Sequence, residues 1–511
     1  MEYEINKKKI ASNTIALYIR MGITMIISFF VTRVTLQQLG VEDYGLNNLV
    51  GGVVSMFSFL NGSMGTAVQR FYSYEIGRRE EGKLGKIFGV SLYLHTWIAI
   101  VTVVMSEVFA IFFLSKLNIP AERITAANIV FQISILSLAL NIINVPYSAL
   151  LRAREMFSKT AVVEIIQSIL RLGVLYLLVV VDFDKLIVLA FLNLLITIYY
   201  VGALTIMARK YKEARNGISK DSELIKQMTS FISLLVITVL AQLAKTNGLI
   251  MFVNVFFGLT VNAAYAIALQ VSNLLNTFVL NFKQSMVPQI MAAYGSGDAT
   301  TMQRLINTGT KLTFIMMLVI STPIIFTGEF LLKLWLGVVP EHTPFLVSLV
   351  LIYINVASFT YFHYQGVHAT GNIKKQQIRF SLLYLLNIVL IYLAFKVGFN
   401  FEWALYINII ISFIQCGINL YYAKITYQYD IPHFLCHILM PCILIVTVVT
   451  ISEIAIMHIC ESLIISFVFS VVTTLLISVT MGYFLLMDNS ERILLVNILV
   501  KAKNKISKIR K

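Results

Sequence analysis

Five basic side chains stand inside stretches that are otherwise apolar: Arg20, Arg33, Arg171, Lys245 and Lys283. At the centre of a membrane helix each costs about 2.5–3.5 kcal/mol, so such groups are retained to pair with a carboxylate, to hold an anion, or to reach an interface by snorkelling. Arg33 lies within a turn of a predicted helix end and fits snorkelling. Lys283, two turns from an end, fits snorkelling or a binding site equally. Arg20, Arg171 and Lys245 lie deeper. Lys245 belongs to Gln242-Leu243-Ala244-Lys245-Thr246-Asn247, a short polar patch in an apolar run. Arg171 has Glu164 seven residues earlier on the same helix face and Glu107 on another helix, so a structural ion pair is as well supported as a ligand contact.

Amides add hydrogen-bonding capacity. Asn61 falls in one predicted helix with Gln69 just past its end, and Gln270, Asn273, Asn276, Asn281 and Gln284 fall in another. Amides of this kind hold helices together at about 1 kcal/mol each, or bind sugar hydroxyls where they face a cavity. Substrate contacts are therefore expected from Arg20, Lys245, Asn61, Gln69, Arg171, Asn247, Asn273, Asn276 and Lys283. Deep carboxylates are scarce, with Glu107 and Glu164 the main ones, which gives little support for a built-in cation-coupling site.

Bond-making chemistry is not visible. The chain has no Gly-rich loop ending in Gly-Lys-Ser/Thr and no His-Glu-x-x-His. His363 and His368 are isolated, and the four cysteines have no metal spacing, so no metal, no cofactor and no enzymatic activity is expected.

The elements that carry these residues follow from composition. Of 511 residues, 58% are hydrophobic and 13% charged, against roughly 25% charged in a soluble protein. Mean hydropathy is +0.82. A hydrocarbon core of ~30 Å needs about 20 apolar residues per helix, and about fourteen such stretches follow one another with short linkers. They are predicted at 12–36, 45–66, 88–114, 124–150, 160–181 and 186–208, then 229–256, 262–288, 310–330, 345–368, 378–396 and 403–424, then 434–456 and 462–487. Lys7–Lys9 precede the first stretch as in a signal peptide, but the run has no small-residue cleavage site and is expected to be retained. Pro146, Pro288, Pro323 and Pro441 are expected bend points.

The net charge of +15 is a topology signal. About 30 of the 40 Lys and Arg fall in alternate linkers and in the tail after residue 491, and about 5 in the opposite linkers, so the rich side is expected to be cytoplasmic and to hold both termini. Nucleic-acid binding is not expected.

The chain also repeats weakly. Leu39-Gly40-Val41-Glu42-Asp43-Tyr44-Gly45 follows the first span, and Phe257-Gly258 with Asn262-Ala263-Ala264-Tyr265-Ala266 follows the seventh. Two six-span halves in the same orientation are expected, related by an axis along the membrane normal, with a substrate site between them near mid-depth. Aligning Gly40 with Gly258 places Lys245 opposite Ile27, two turns from Arg20, on a corresponding face. The expected division is an N-lobe at 1–227, a C-lobe at 228–425, and two extra helices with a basic tail at 426–511.

The Leu39–Gly45 motif, Asn48-Leu49-Val50-Gly51-Gly52-Val53-Val54, Phe57-Ser58-Phe59-Leu60-Asn61-Gly62, Gln69-Arg70-Phe71 and Asn144-Val145-Pro146-Tyr147 together resemble the Wzx-type polysaccharide flippases, in the branch associated with O-antigen and lipopolysaccharide biosynthesis. The resemblance implies an all-α integral membrane fold shared with MATE-type exporters. It also implies alternating-access transport of an undecaprenyl-pyrophosphate-linked oligosaccharide across the bacterial inner membrane, with membrane lipids, a polysaccharide polymerase and chain-length proteins as partners. Arg20 and Lys245 are then where the sequence would supply charge to a cationic cavity. A cation-coupled small-molecule exporter of the MATE type is the alternative. The absence of an acidic residue from the first span counts against it.

Overall fold

The two glycines that the repeat pairs interrupt the two longest helices. The computed structural model describes residues 7–55, 59–79, 81–113, 121–180, 182–336, 339–460, 462–488 and 491–492. Helix α1 (Lys7–Ser55) breaks at Gly40, with φ 75° and ψ 173°, and α7 (Ser222–Gly295) breaks at Gly258, with φ 79° and ψ −172°. This corner of backbone space is open in practice to glycine alone. Each break ends one span and begins the next without a loop. Gly258→Ala should cost about 1–3 kcal/mol, read as earlier thermal unfolding of the detergent-solubilised protein.

The remaining helices are α2 (Phe59–Arg78), α3 (Glu81–Phe113), α4 (Ile124–Ala153), α5 (Phe157–Leu177), α6 (Lys185–Ala208), α8 (Ala299–Leu336), α9 (Thr343–Phe359), α10 (Tyr361–Thr370), α11 (Lys374–Val397), α12 (Glu402–Tyr427), α13 (Ile431–Phe434), α14 (Met440–Ile459) and α15 (Leu463–Met481). Among the described residues there is no strand, and thirteen helices are long and apolar enough to cross a bilayer. The chain is a multi-pass membrane protein. The predicted span at 45–66 includes residues outside the described set.

Several helices run further than their apolar stretches. The span predicted to stop at 66 continues to Arg78, and the one predicted to stop at 288 continues to Gly295. Hydropathy marks where hydrocarbon ends. The helix itself persists because its backbone bonds are made internally and do not depend on lipid. The expected proline bends are partly displaced. In α8 the irregular residue is Thr327, whose hydroxyl donates to the Pro323 carbonyl at 2.7 Å. Pro441 follows a π turn at Leu435–Leu439.

Packing divides the chain into two compact units. The first comprises 1–242 with 284–302 and 368–381, and the second 243–283, 303–367 and 382–511. In the first, α4 packs against α2, α3 and α6, and α1 against α5. Its apolar core gathers Phe131, Ile135, Leu175, Leu178 and Leu186. At the end poor in basic loops, Arg123 bridges Asp43 and Asp184. That explains both a rare basic residue on that side and Asp43, one of the two acids of the Leu39–Gly45 motif. The second unit has its own core around Val253, Ala268, Leu346, Leu351 and Leu405.

Candidate functional site

In the second unit two ammonium groups lie at membrane depth. Lys245 is 5% exposed. Its Nζ donates to the Tyr353 hydroxyl at 3.3 Å, and it sits 4.8 Å from the ring centre of Tyr353 and 5.7 Å from that of Tyr384. Lys283, at 6% exposed, donates to Ser358 Oγ at 3.1 Å and lies 4.6 Å from the ring centre of Tyr361. Tyr353 and Ser358 come from α9 and Tyr361 from α10, so one span receives both lysines. Aromatic faces and hydroxyls orient an ammonium without cancelling its charge. Among the described residues neither lysine has a carboxylate partner.

The snorkelling alternative for Lys283 does not hold. Its amine turns into protein, onto Ser358 and the ring of Tyr361, and not out along the helix toward its end. Asn247 and Asn273 are exposed, and Asn276 is half-buried with a 3.5 Å contact to Ser272.

The residues assigned to the first unit are arranged differently. Arg20 on α1 pairs with Glu164 on α5 at 2.5 Å. Glu107 accepts from Gln132 at 3.1 Å. Arg171 is exposed, and among the described residues Glu164 and Glu107 are engaged by Arg20 and Gln132 and not by it, so of its two alternatives the ion pair is not formed. Seven-residue spacing put Glu164 on the face of Arg171, but the packing of α1 on α5 delivers it to Arg20. Gln69 is buried in α2, and the side chain of Asn61 is outside the described set.

One deep carboxylate escaped the sequence reading. Glu453 on α14 is fully buried, and its Oε1 accepts from Thr474 at 2.7 Å. Its setting was legible: Ser466, Ser470, Thr474 and Ser478 recur every four residues along α15 and all are buried. That spacing is one polar stripe on a helix.

The second arrangement missed lies at the basic end of the first unit. A Cβ built on Gly77 would overlap the carbonyl oxygen of Ala292, and one on Gly295 would overlap that of Tyr74. The two contacts are reciprocal. Gly77 and Gly295, and likewise Tyr74 and Ala292, are separated by the same number of residues as Gly40 and Gly258. The ends of α2 and α7 thus cross backbone to backbone about a local two-fold, with the rings of Tyr74 and Tyr294 6.0 Å apart. Around the crossing, Gln289 donates to Glu155 at 3.1 Å and Thr14 meets Ser285 at 2.9 Å. Arg70 on α2 donates to the carbonyl oxygens of His368 (3.2 Å) and Ala369 (2.9 Å), the last turn of α10. Cations suit a helix C-terminus, where orphan carbonyls and the macrodipole are negative.

Long helices broken at paired glycines and crossing at matched positions define an architecture that can be compared directly. A MATE transporter in its straight conformation superposes with a TM-score of 0.69, over 83% of this chain and 96% of that one, at 14% identity. The fold is that of the MATE transporters. An outward-facing multidrug resistance MATE transporter of the MOP superfamily gives 0.63 at 14% identity, over 82% of this chain and 94% of that one. A MOP superfamily transporter from Pyrococcus furiosus gives 0.65 at 13% identity, over 83% and 96%; for that protein a binding pocket of reversed polarity has been taken to suggest a different function. Residues 15–177 match the MatE family, which covers α1 to α5 of this MATE-type fold. No curated protein matches the chain.

Proposed function

We propose that the protein is a transporter of the MATE-like fold that moves an undecaprenyl-diphosphate-linked oligosaccharide from the cytoplasmic to the outer leaflet of a bacterial inner membrane. One observation carries the reading. Lys245 and Lys283 are buried at membrane depth on tyrosine and serine partners, with no carboxylate among the described residues. A buried charge without a counter-ion is costly and is retained where a ligand supplies the opposite charge. A diphosphate does so, and the resemblance to polysaccharide flippases names the same cargo. Asn273, Asn276 and Asn247 would meet hydroxyls of the sugar. The machine works by alternating access, so the crossing of α2 and α7 must part when the cytoplasmic side opens.

A cation-coupled MATE-type exporter of small molecules fits the fold equally well and has one observation of its own, the buried Glu453. A cell lacking the protein separates the two. The flippase reading expects surface polysaccharide to disappear while susceptibility to a panel of drugs stays unchanged. Drug sensitisation with normal polysaccharide overturns it.

A further inference from the structure

A cavity of about 420 Å³ lies at the basic end of the first unit, between the end of α2 and the starts of α3 and α7. Four cations line it: Arg70 and Arg78 of α2, and Lys83 and Lys86 from the first turns of α3. Lys83 and Lys86 lie three residues apart on one side of α3, and both are exposed. Three carboxylates also reach the cavity. Asp221 is used as the cap of α7, accepting from Leu224 N at 3.1 Å, and Glu223 accepts from Gln227 at 3.2 Å. Glu75 is the third.

Arg70 joins the cavity to the α10 clamp. It is 8% exposed and lies about 5 Å from the rings of Phe71 and Tyr74. Its Nε and Nη2 are given to α10, and among the described residues no acceptor meets its Nη1. A guanidinium is a planar fork that grips phosphate oxygens, and lysines add point charge. We propose that this cavity binds a phosphate or diphosphate headgroup at the cytoplasmic membrane surface, and that Arg70 exchanges α10 carbonyls for phosphate oxygens when it does. The ligand class rests on the proposed function, but the site stands apart from Lys245 and Lys283. It would receive the headgroup at the side from which cargo arrives and loosen the clamp that must open.

The test uses the full chain in phosphatidylcholine nanodiscs, titrated with inorganic pyrophosphate by calorimetry, beside the exposed double variant Lys83→Gln/Lys86→Gln. Saturable binding is expected, weakened about tenfold or more in the variant, which is about 1.4 kcal/mol. Hydrogen exchange over 361–370 should rise on binding in the parent protein only. A second set of nanodiscs contains phosphatidylglycerol. Competition there assigns the site to bilayer headgroups, and undiminished pyrophosphate binding assigns it to a diphosphate; either result supports the site. Absence of binding in both, or binding that ignores the double substitution, overturns it. Neither measurement involves transport, so binding by a protein inactive in polysaccharide export would refute the proposed function and leave this site intact.

Discussion

Replacing Lys245 with glutamate is expected to abolish surface polysaccharide in cells that hold the variant at the normal level. The ammonium is buried against the rings of Tyr353 and Tyr384, so its charge is little screened by solvent. A carboxylate there keeps most of the volume and reverses the field felt by a diphosphate. Export should fall at least about tenfold, because one close like-charge contact costs more than the roughly 1.4 kcal/mol that tenfold requires. Lys245→Met separates charge from packing. It keeps the apolar stem, should remain monodisperse in detergent, and should still lose most export. Tyr353→Phe, which removes the hydroxyl acceptor and keeps the ring, should lower export less than Lys245→Met does. Normal export by a well-expressed Lys245→Glu protein would remove the basis for an anionic cargo.

The second large effect is expected at Gly77. Its contact with Ala292 is backbone against backbone, so no neighbouring rotamer can make room for a side chain. Gly77→Val should therefore hold the ends of α2 and α7 apart and leave the basic side unsealed, while each span keeps its own core. Gly295→Val should act in the same way at the reciprocal contact with Tyr74. The measurement is thiol labelling of Gln289→Cys, a buried position beside the crossing, in a background with the four native cysteines replaced. With Gly77 present the thiol should be protected from a membrane-impermeant reagent added on the cytoplasmic side. With Gly77→Val it should react at least about tenfold faster, as a burial change of this size implies, and export should stop. Equal protection and normal export in both proteins would show that the crossing is not a gate.

The fold was legible because its signals are local. Apolar length gave the spans, and the pairing of Gly40 with Gly258 marked the backbone positions that break α1 and α7. Helix ends were less legible, since α2 and α7 run on through polar sequence where hydropathy is silent. Partner choice was not legible. Glu164 is equally spaced for Arg171 along its own helix, and only the packing of α1 on α5 gives it to Arg20. The crossing at Gly77 and Gly295 depends on close approach of distant segments, which no spacing within one helix reports. Nothing in Gln69-Arg70-Phe71 signals that Arg70 caps α10, since its acceptors lie almost three hundred residues on. The burial of Lys245 agrees with its place in a polar patch, but its tyrosine partners come from segments more than a hundred residues away.

On this reading the buried ammonium groups of Lys245 and Lys283 serve an anionic, lipid-linked cargo. The purified protein in liposomes, given a fluorescent undecaprenyl-diphosphate oligosaccharide in one leaflet and a fluorescent organic cation in the lumen, tests it directly. Accelerated transfer of the lipid between leaflets, lost in Lys245→Glu and with no movement of the cation, is the expected result. Cation efflux without lipid transfer would show that the lysines do not serve such a cargo.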